Sequence, residues 1–287
     1  MAPKRILCLT NDRRSAGALL ERSFNIARPF SAHITALHVR PDPTALMAQV
    51  DGQYFATMAD SIFAKIEEEA EGSAKAVHEA LERWRLGHGV EAANEAKAGV
   101  VTLSFSDVVG RLEAVVAHHA QISDLVIVGR PDADQAPLDE IAFEAALFAA
   151  GRPVLLTPLD APVALSGTAL LAWNASLEST HAMTAALPYL AFMKSVEVMT
   201  VGALSEEDVG PDEVIAYLKA HDISASAHQL SPGTAPPGRA ILDRAAAIGA
   251  SFIVMGAYGH SRMRQLLMGG PTRDALKSAA VPVLLAH

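Results

Sequence analysis

Four glycines near the carboxyl end of the chain are spaced in a way that could hold a phosphate group. Gly256 ends an aliphatic run, Gly259 follows after two residues, and Gly269 and Gly270 follow after nine more. Because glycine has no Cβ and tolerates positive φ, its backbone N–H can approach a ligand closely. A proline and Thr272 come next, as at the start of a helix, and helix N-termini attract anions. The pattern predicts an anion-binding loop.

The same window is rich in positive charge. Arg262, Arg264, Arg273 and Lys277 lie within it, and only Asp274 opposes them. Either of the first two arginines could reach the outer phosphates of a nucleotide. Two plainer interpretations stay open, a solvated basic helix face and glycines that serve only as turn residues. The segment is neither a Walker A loop nor a dinucleotide fingerprint, because the Gly-Lys-Ser/Thr and G-x-G-x-x-G patterns are absent.

An internal repeat organises the chain. SDLVIVGR and RPVLLTP near the middle match ASFIVMGA and VPVLLAH near the end. Within each copy, short aliphatic runs alternate with helical patterns, which indicates βαβ units and a parallel sheet. We therefore predict an α/β fold of two tandem doubly wound domains, 1–158 and 167–287, joined by a linker at 158–167. Each domain is expected to hold a five-stranded parallel sheet flanked by helices, and a pseudo-twofold axis relates them.

The positions of the elements follow from the same patterns. In the second copy we predict strands near 168–173, 196–202, 224–229, 251–256 and 282–286. Helices are predicted there near 177–191, 210–220, 237–248 and 271–279. In the first copy we predict strands near 5–10, 33–39, 99–104, 124–129 and 153–157. An apolar stripe from Ile62 to Trp84 predicts a long second helix, preceded by an extra segment at 41–60.

Composition and charge exclude several classes of protein. The formal net charge of −9 argues against nucleic-acid coating and against binding to anionic membranes. No apolar stretch reaches the roughly 18 residues that a membrane span needs. The N-terminus lacks the layout of a signal peptide, and Cys8, the single cysteine, leaves no internal disulfide. We expect a cytoplasmic protein with no nucleic-acid or membrane partner, in which the strand residue Cys8 has a buried, inert thiol.

The glycine pattern, placed after a fourth strand and before a Pro-Val-Leu-Leu strand, resembles the universal stress protein family. The resemblance covers essentially the whole chain as a tandem pair, and it implies ATP or a related adenine nucleotide as the ligand of the second copy. The nucleotide-binding residues that it implies are Ala172, Asn174, Val201, Met255, Gly256, Gly259, Arg262, Gly269, Gly270 and Thr272.

Two of these residues depart from the pattern of the family. Asn174 lies where the family has an adenosine-side Asp, and Gly270 lies where a hydroxyl residue is usual. An amide carries no charge to hold a cation, so whether a divalent cation such as Mg²⁺ binds stays open. Val201 is expected to contact the base through its backbone.

The first copy departs much further. Gly129 is followed by Arg130 and a proline, with no second glycine, and Asn11 occupies the end of the first strand. Four acidic residues follow and would repel phosphates: Asp132, Asp134, Asp139 and Glu140. We expect this copy to be structural or to bind something else.

Three functions remain from the sequence. The first is a nucleotide-responsive regulatory protein of the stress response, with protein partners that the sequence does not identify. The second is a nucleotide-free dimeric scaffold. The third is a weak ATPase, and we predict no catalytic residue and no metal ligand. In the family, last strands pair across a dimer, so the two Pro-Val-Leu-Leu strands are predicted to lie antiparallel within one chain; a further homodimer stays open.

The loop itself can be tested by substitution. Gly259→Val places a side chain where the phosphates are expected, and should abolish the rise in melting temperature on adding ATP. The sequence suggests Arg130→Val in the first copy as a neutral control. An unchanged ATP-dependent shift in Gly259→Val would show that the nucleotide binds elsewhere.

Overall fold

A computed structural model describes residues 2–42, 56–130, 136–160, 163–231, 236–257 and 278–287, and within these the side chains of 56–63 and 136–139 are not described. In these ranges eleven strands form one sheet, with helices packed on both of its faces. The fold is α/β, as the alternation of aliphatic runs and helical patterns predicted. We call the part up to strand β6 the first half, and the part from strand β7 onward the second half.

The first half contains six strands and four helices among the described residues. Its strands are β1 (Arg5–Leu9), β2 (His33–Arg40), β3 (Glu91–Ala92), β4 (Thr102–Val109), β5 (Leu125–Gly129) and β6 (Val154–Thr157). Its helices are α1 (Arg13–Ala27), α2 (Ala56–His88), α3 (Leu112–Gln121) and α4 (Ala136–Glu144). A 3₁₀ turn at Arg28–Phe30 extends α1, and a π-helical turn at Ala145–Ala149 extends α4.

The second half repeats this alternation of strands and helices. Its strands are β7 (Thr168–Ala172), β8 (Ser195–Val201), β9 (Ala225–Leu230), β10 (Ala250–Gly256) and β11 (Val283–Ala286). Its helices are α5 (Leu177–Leu190), α6 (Pro211–Ala220) and α7 (Pro237–Ala247). The bounds agree with those predicted to within two residues. No described helix combines the length and the apolar character that crossing a membrane requires.

The sheet has the order β3-β4-β2-β1-β5-β6-β11-β10-β7-β8-β9. All neighbours are parallel except β6 and β11, which run antiparallel with Leu155 opposite Leu284. These are the two Pro-Val-Leu-Leu segments, and the antiparallel pairing predicted for them is confirmed. The two halves are thereby joined into one sheet, and the strands of one half point opposite to those of the other.

Two predictions for the first half need correction. The third long strand is Thr102–Val109 rather than 99–104, because Gly99 has a φ of +81° and lies in a turn closed by a bridge between Lys97 and Val100. The two-residue strand β3, which pairs with β4, adds a sixth strand to the five predicted. The predicted segment at 41–60 lies outside the described residues except at 41–42 and 56–60, and the helix predicted at 271–279 lies outside them up to 277.

The two faces of the sheet each carry one buried apolar cluster, and both clusters cross the line between the halves. On one face Ile127 and Leu155 share a cluster with Leu284 and Val254. On the other face the cluster contains Leu156 and Leu285 together. Burial of aliphatic surface is the main stabilising contribution to folding, so the two halves stabilise each other through a shared core.

A buried arginine forms hydrogen bonds with the segment that connects the two halves. Arg22 on α1 is 8% exposed, and its Nε donates to the backbone oxygen of Pro158 at 2.7 Å. Its Nη atoms donate to the backbone oxygens of Ala18 and Leu159. Burial lowers the pKa of the guanidinium from its usual value, with a smaller opposing effect from Asp160. The side chain satisfies the carbonyls at the start of the linker, which apolar neighbours could not do.

Replacing Arg22 by methionine should therefore destabilise the whole chain. Loss of hydrogen bonds from a charged donor to buried carbonyls is expected to lower the free energy of unfolding by roughly 2–3 kcal/mol. Urea unfolding followed by circular dichroism measures the loss. Arg14→Met is the control, since the Arg14 side chain is 65% exposed. Equal stability of the two variants would contradict the role assigned to Arg22.

Candidate functional site

A cavity of about 350 Å³ opens at the carboxyl ends of three strands of the second half. Ala172, Val201 and Gly256, the last residues of β7, β8 and β10, lie in its wall. The carboxyl edge of a parallel sheet is where α/β proteins bind ligands, and the volume is in the range of small-molecule sites. The complete lining consists of Ala172, Trp173, Asn174, Met199, Val201, Pro237, Gly238, Ile241, Met255 and Gly256.

The first turns of α7 close one side of the cavity. Pro237 and Gly238 open this helix, and Ile241 follows one turn later on the same face. The helix is fixed to the sheet by Arg244, whose Nε and Nη2 each lie 2.7 Å from an oxygen of Glu197 on β8. This guanidinium holds the pKa of Glu197 below its usual value. A bidentate ion pair thus sets the distance between α7 and the strand that forms the cavity floor.

The backbone of Val201 on β8 faces the cavity, because the neighbouring strand β7 ends before it reaches the level of Val201. The register of β7 with β8 ends at Ala172 opposite Met199, and the N–H of Trp173 donates to the oxygen of Met199 at 2.8 Å. Backbone groups of a strand repeat their direction every second residue. The N–H and C=O of Val201 therefore point past the end of β7, into the space that Asn174 borders.

The side chains that follow β7 leave this space open. The Asn174 amide oxygen accepts from the N–H of Ser176 at 3.3 Å, and the residue is exposed. Trp173 is 4% exposed, and its indole N–H donates to the oxygen of Val209 at 2.8 Å. The Asn174 amide oxygen and the Trp173 indole N–H thus have partners other than the backbone of Val201.

In the first half a side chain occupies the matching backbone donor. There the N–H of Thr10 donates to the oxygen of Leu37 at 2.8 Å, so Asn11 matches Asn174 and Val39 matches Val201. The Asn11 amide oxygen accepts from the N–H of Val39 at 3.1 Å. The backbone donor that is directed into the cavity in the second half is occupied by Asn11 in the first.

Gly256 is required by packing as well as by the cavity. A Cβ built on Gly256 would lie 2.5 Å from the backbone nitrogen of Ser179 and 2.6 Å from the carbonyl carbon of Glu178, in the first turn of α5. The matching Gly129 has more room, because the nearest atoms, on Leu159 and Leu19, are 3.5 Å away. The absent side chain at Gly256 therefore lets α5 approach the end of β10, a role that the glycine spacing alone does not reveal.

Half of the nucleotide-binding residues that the sequence suggested lie in the wall of the cavity. Ala172, Asn174, Val201, Met255 and Gly256 lie together in its wall. The other five, Gly259, Arg262, Gly269, Gly270 and Thr272, lie outside the described residues.

Sequence reasoning missed the rest of the lining. Met199 could have been found, because it lies two residues before Val201 on the same strand and thus on the same face. Pro237 and Gly238 carry no such signal, because their place depends on how α7 packs on the sheet.

Other candidate chemistries find little support in the described residues. Among them there is no group of three or more His, Cys, Asp or Glu side chains placed to hold a metal ion. Cys8 is fully buried, as expected, and burial raises the pKa of its thiol to about 12, which disfavours the reactive thiolate. No side chain in the described cavity lining is ionisable.

The comparisons with known proteins agree with this architecture. A family model described as the universal stress protein family matches residues 125–287. No curated protein sequence matches significantly.

Two solved structures that match nearly the whole chain give the same result for the fold. A universal stress protein from Archaeoglobus fulgidus is 15% identical, with a TM-score of 0.64, and the match covers 100% of this chain and 96% of that one. One described as putative, from Pseudomonas aeruginosa, is 17% identical with a TM-score of 0.57, over 99% and 93% of the two chains. A universal stress protein in complex with cAMP is 17% identical, with a TM-score of 0.33, and covers 42% of this chain and 97% of its own.

The two matched glycines give a direct test of the packing at the cavity. Gly256→Ala forces the new methyl against the backbone of α5, and should lower the free energy of unfolding by about 1–3 kcal/mol. Gly129→Ala is the matched control and should be tolerated, because 3.5 Å is an ordinary contact distance. Thermal unfolding monitored by circular dichroism compares the two. A larger loss at Gly129 than at Gly256 would contradict the packing described.

Proposed function

The chain belongs to the universal stress protein family, and from this premise we propose that it is a stress-response regulatory protein that binds ATP or a related adenine nucleotide in the cavity of its second half. The observation that supports the proposal most is the open backbone of Val201 beside an apolar cavity at the carboxyl edge of the sheet. The match of the family model to 125–287 includes every residue of that cavity.

The described part of the cavity fits the nucleoside portion of such a ligand. Met199, Ile241 and Met255 offer an apolar, polarisable surface for a flat base. The N–H and C=O of Val201 form a donor and acceptor pair at the edge of that surface, which suits the edge of an adenine ring. Asn174, exposed at the rim, can hydrogen-bond the ribose.

The phosphates would extend from the end of β10 toward the segment 258–277. Gly259, Gly269, Gly270 and Thr272 are the phosphate-binding residues that the sequence suggests there, with Arg262 for the outer phosphates. Backbone N–H groups and a guanidinium are the usual partners of phosphate oxygens. Bound ATP would bring the triphosphate charge to this segment, and a change in its surface is how the nucleotide would alter contacts with partner proteins.

The proposal limits binding to one nucleotide per chain and assigns no hydrolysis. The first half has a leucine, Leu9, where the second has Ala172, and its backbone donor at Val39 is occupied by Asn11. The described cavity lining supplies neither a general base nor a carboxylate for a divalent cation. Turnover therefore has no support from the described residues.

Identification of the nucleotide carried by the purified protein tests the proposal. The protein is denatured, and released small molecules are identified by mass spectrometry. Melting temperatures are measured in parallel with ATP, ADP, AMP and cAMP. Released adenine nucleotide or a nucleotide-dependent rise in melting temperature would support the proposal. An empty protein with no response to any of the four would favour the nucleotide-free scaffold, and phosphate release from ATP would favour the weak ATPase.

A cavity-filling substitution localises the binding. Ala172→Leu gives β7 the residue that β1 has at the matching position, and its added atoms project into space needed for the nucleoside. The ATP-dependent rise in melting temperature should disappear, while the melting temperature without ATP changes little, because Ala172 is only partly buried. Ala246→Leu is the matched control, since it adds the same atoms on an exposed position of α7. Retained ATP stabilisation in Ala172→Leu would place the nucleotide outside this cavity.

A further inference from the structure

A residue of the first half contacts the backbone at Ala279, two residues after the segment 258–277. Nη1 of Arg130, at the end of β5, donates to the backbone oxygen of Ala279 at 2.7 Å. Ala279 is 2% exposed and lies just before β11. Nη2 of the same arginine lies 3.9 Å from Asp160, which helps to orient the guanidinium. A charged donor thus reaches a buried carbonyl across the line between the halves.

Ala257, the residue before the segment 258–277, is linked to the first half through His287. The backbone oxygen of Ala257 accepts from Nδ1 of His287 at 2.9 Å. The ring of His287 packs edge-on against Phe148 of the first half, with ring centroids 5.0 Å apart. Ala257 itself is 3% exposed, and its N–H donates to the oxygen of Ala286 at 2.8 Å.

The strand directions in the sheet explain why side chains of the first half reach the residues on both sides of the segment 258–277. Because β6 and β11 are antiparallel, the carboxyl edge of each half lies beside the amino edge of the other. Arg130 therefore meets the residues that precede β11, and Phe148, which precedes β6, meets the residue that follows β11. The second half makes no equivalent side-chain contact to the first from the position that matches Arg130, because it has Ala257 there.

We propose that the first half positions the two flanks of the segment 258–277, with Arg130 and Phe148 as the positioning residues. A half whose own strand ends are closed by Asn11 would thereby serve the nucleotide site of the other half. This inference deepens the proposed function and rests on it for its effect on ATP affinity. The positioning itself rests only on the contacts at Ala257 and Ala279.

The contact changes the expectation for Arg130 that the sequence suggested. From the sequence, Arg130 follows Gly129 in a copy that has no second glycine, so its substitution is expected to leave nucleotide binding intact. In the structure its guanidinium is committed to Ala279, on the exit side of the segment that carries Gly269, Gly270 and Thr272. Arg130 is therefore unsuited as a neutral control for the nucleotide site.

Three variants of the full chain separate positioning from general stability. Arg130→Met keeps an unbranched apolar stem and removes the donors. Arg130→Lys keeps a positively charged donor, and should rescue the effect at least in part. Arg152→Met is the matched control, because Nη2 of Arg152 also donates to a backbone oxygen, that of Gln121, but within the first half. A proline follows each of Arg130 and Arg152, so neither is a trypsin site and the three variants leave the set of cleavage sites unchanged.

Limited proteolysis of the ligand-free protein is the first measurement. Trypsin cleavage after Arg262, Arg264, Arg273 and Lys277 is followed by mass spectrometry of the fragments. Cleavage at these positions should accelerate about three- to tenfold in Arg130→Met, in keeping with the loss of one charge-assisted hydrogen bond. Arg152→Met should match the unmodified protein. The melting temperature of each variant shows whether the whole chain has been weakened.

Titration calorimetry with ATP is the second measurement. The Kd should rise about three- to tenfold in Arg130→Met, return toward the unmodified value in Arg130→Lys, and stay unchanged in Arg152→Met. Cleavage and affinity that are the same in Arg130→Met and Arg152→Met would overturn the proposal. If the unmodified protein binds no ATP, the proposed function fails, and the cleavage comparison still decides whether the first half positions the segment.

Discussion

The antiparallel pairing of β6 with β11 is the constraint on which the rest of the molecule depends. Val154, Leu155 and Leu156 lie opposite Leu285, Leu284 and Val283, and all six are buried. The pairing fuses two parallel sheets into one and lets an apolar cluster on each face run across both halves. It also fixes the direction of each half, so that the carboxyl edge of one lies beside the amino edge of the other. The contacts from Arg130 and Phe148 follow from that arrangement.

Within this common frame, a few side chains make the two strand-end regions chemically different. In the first half Asn11 accepts a hydrogen bond from the N–H of Val39, and His38 donates through Nδ1 to the oxygen of Thr10. Leu9 lies there at the position that Ala172 has in the second half. In the second half Asn174 turns to Ser176 and the smaller Ala172 leaves a cavity. A hydrogen bond within the chain thus occupies in the first half the backbone donor that borders the cavity in the second.

Much of the fold and of the cavity wall could be predicted from the sequence. The features that could not be predicted have one physical cause in common. The periodicity and the internal repeat predict β7, β8 and β10, because aliphatic runs and turn residues determine local structure. These strands bring Ala172, Val201 and Met255 to the carboxyl edge of the sheet. The contact of Gly256 with α5, the hydrogen bond from Val39 to Asn11 and the reach of Arg130 to Ala279 join residues far apart in the chain. Such contacts depend on packing distances and rotamers, which no local pattern records. The start of β4 at Thr102 depends likewise on the positive φ of Gly99.

The two halves share a fold, and we propose that only the second binds an adenine nucleotide. The stoichiometry of ATP binding to the full chain, measured by titration calorimetry together with native mass spectrometry, tests it most directly. The account predicts one ATP per chain, and a native mass spectrum with no doubly occupied chain. Two ATP per chain would contradict the closure of the first half by Asn11, and none would contradict the assignment of the second-half cavity as a nucleotide site.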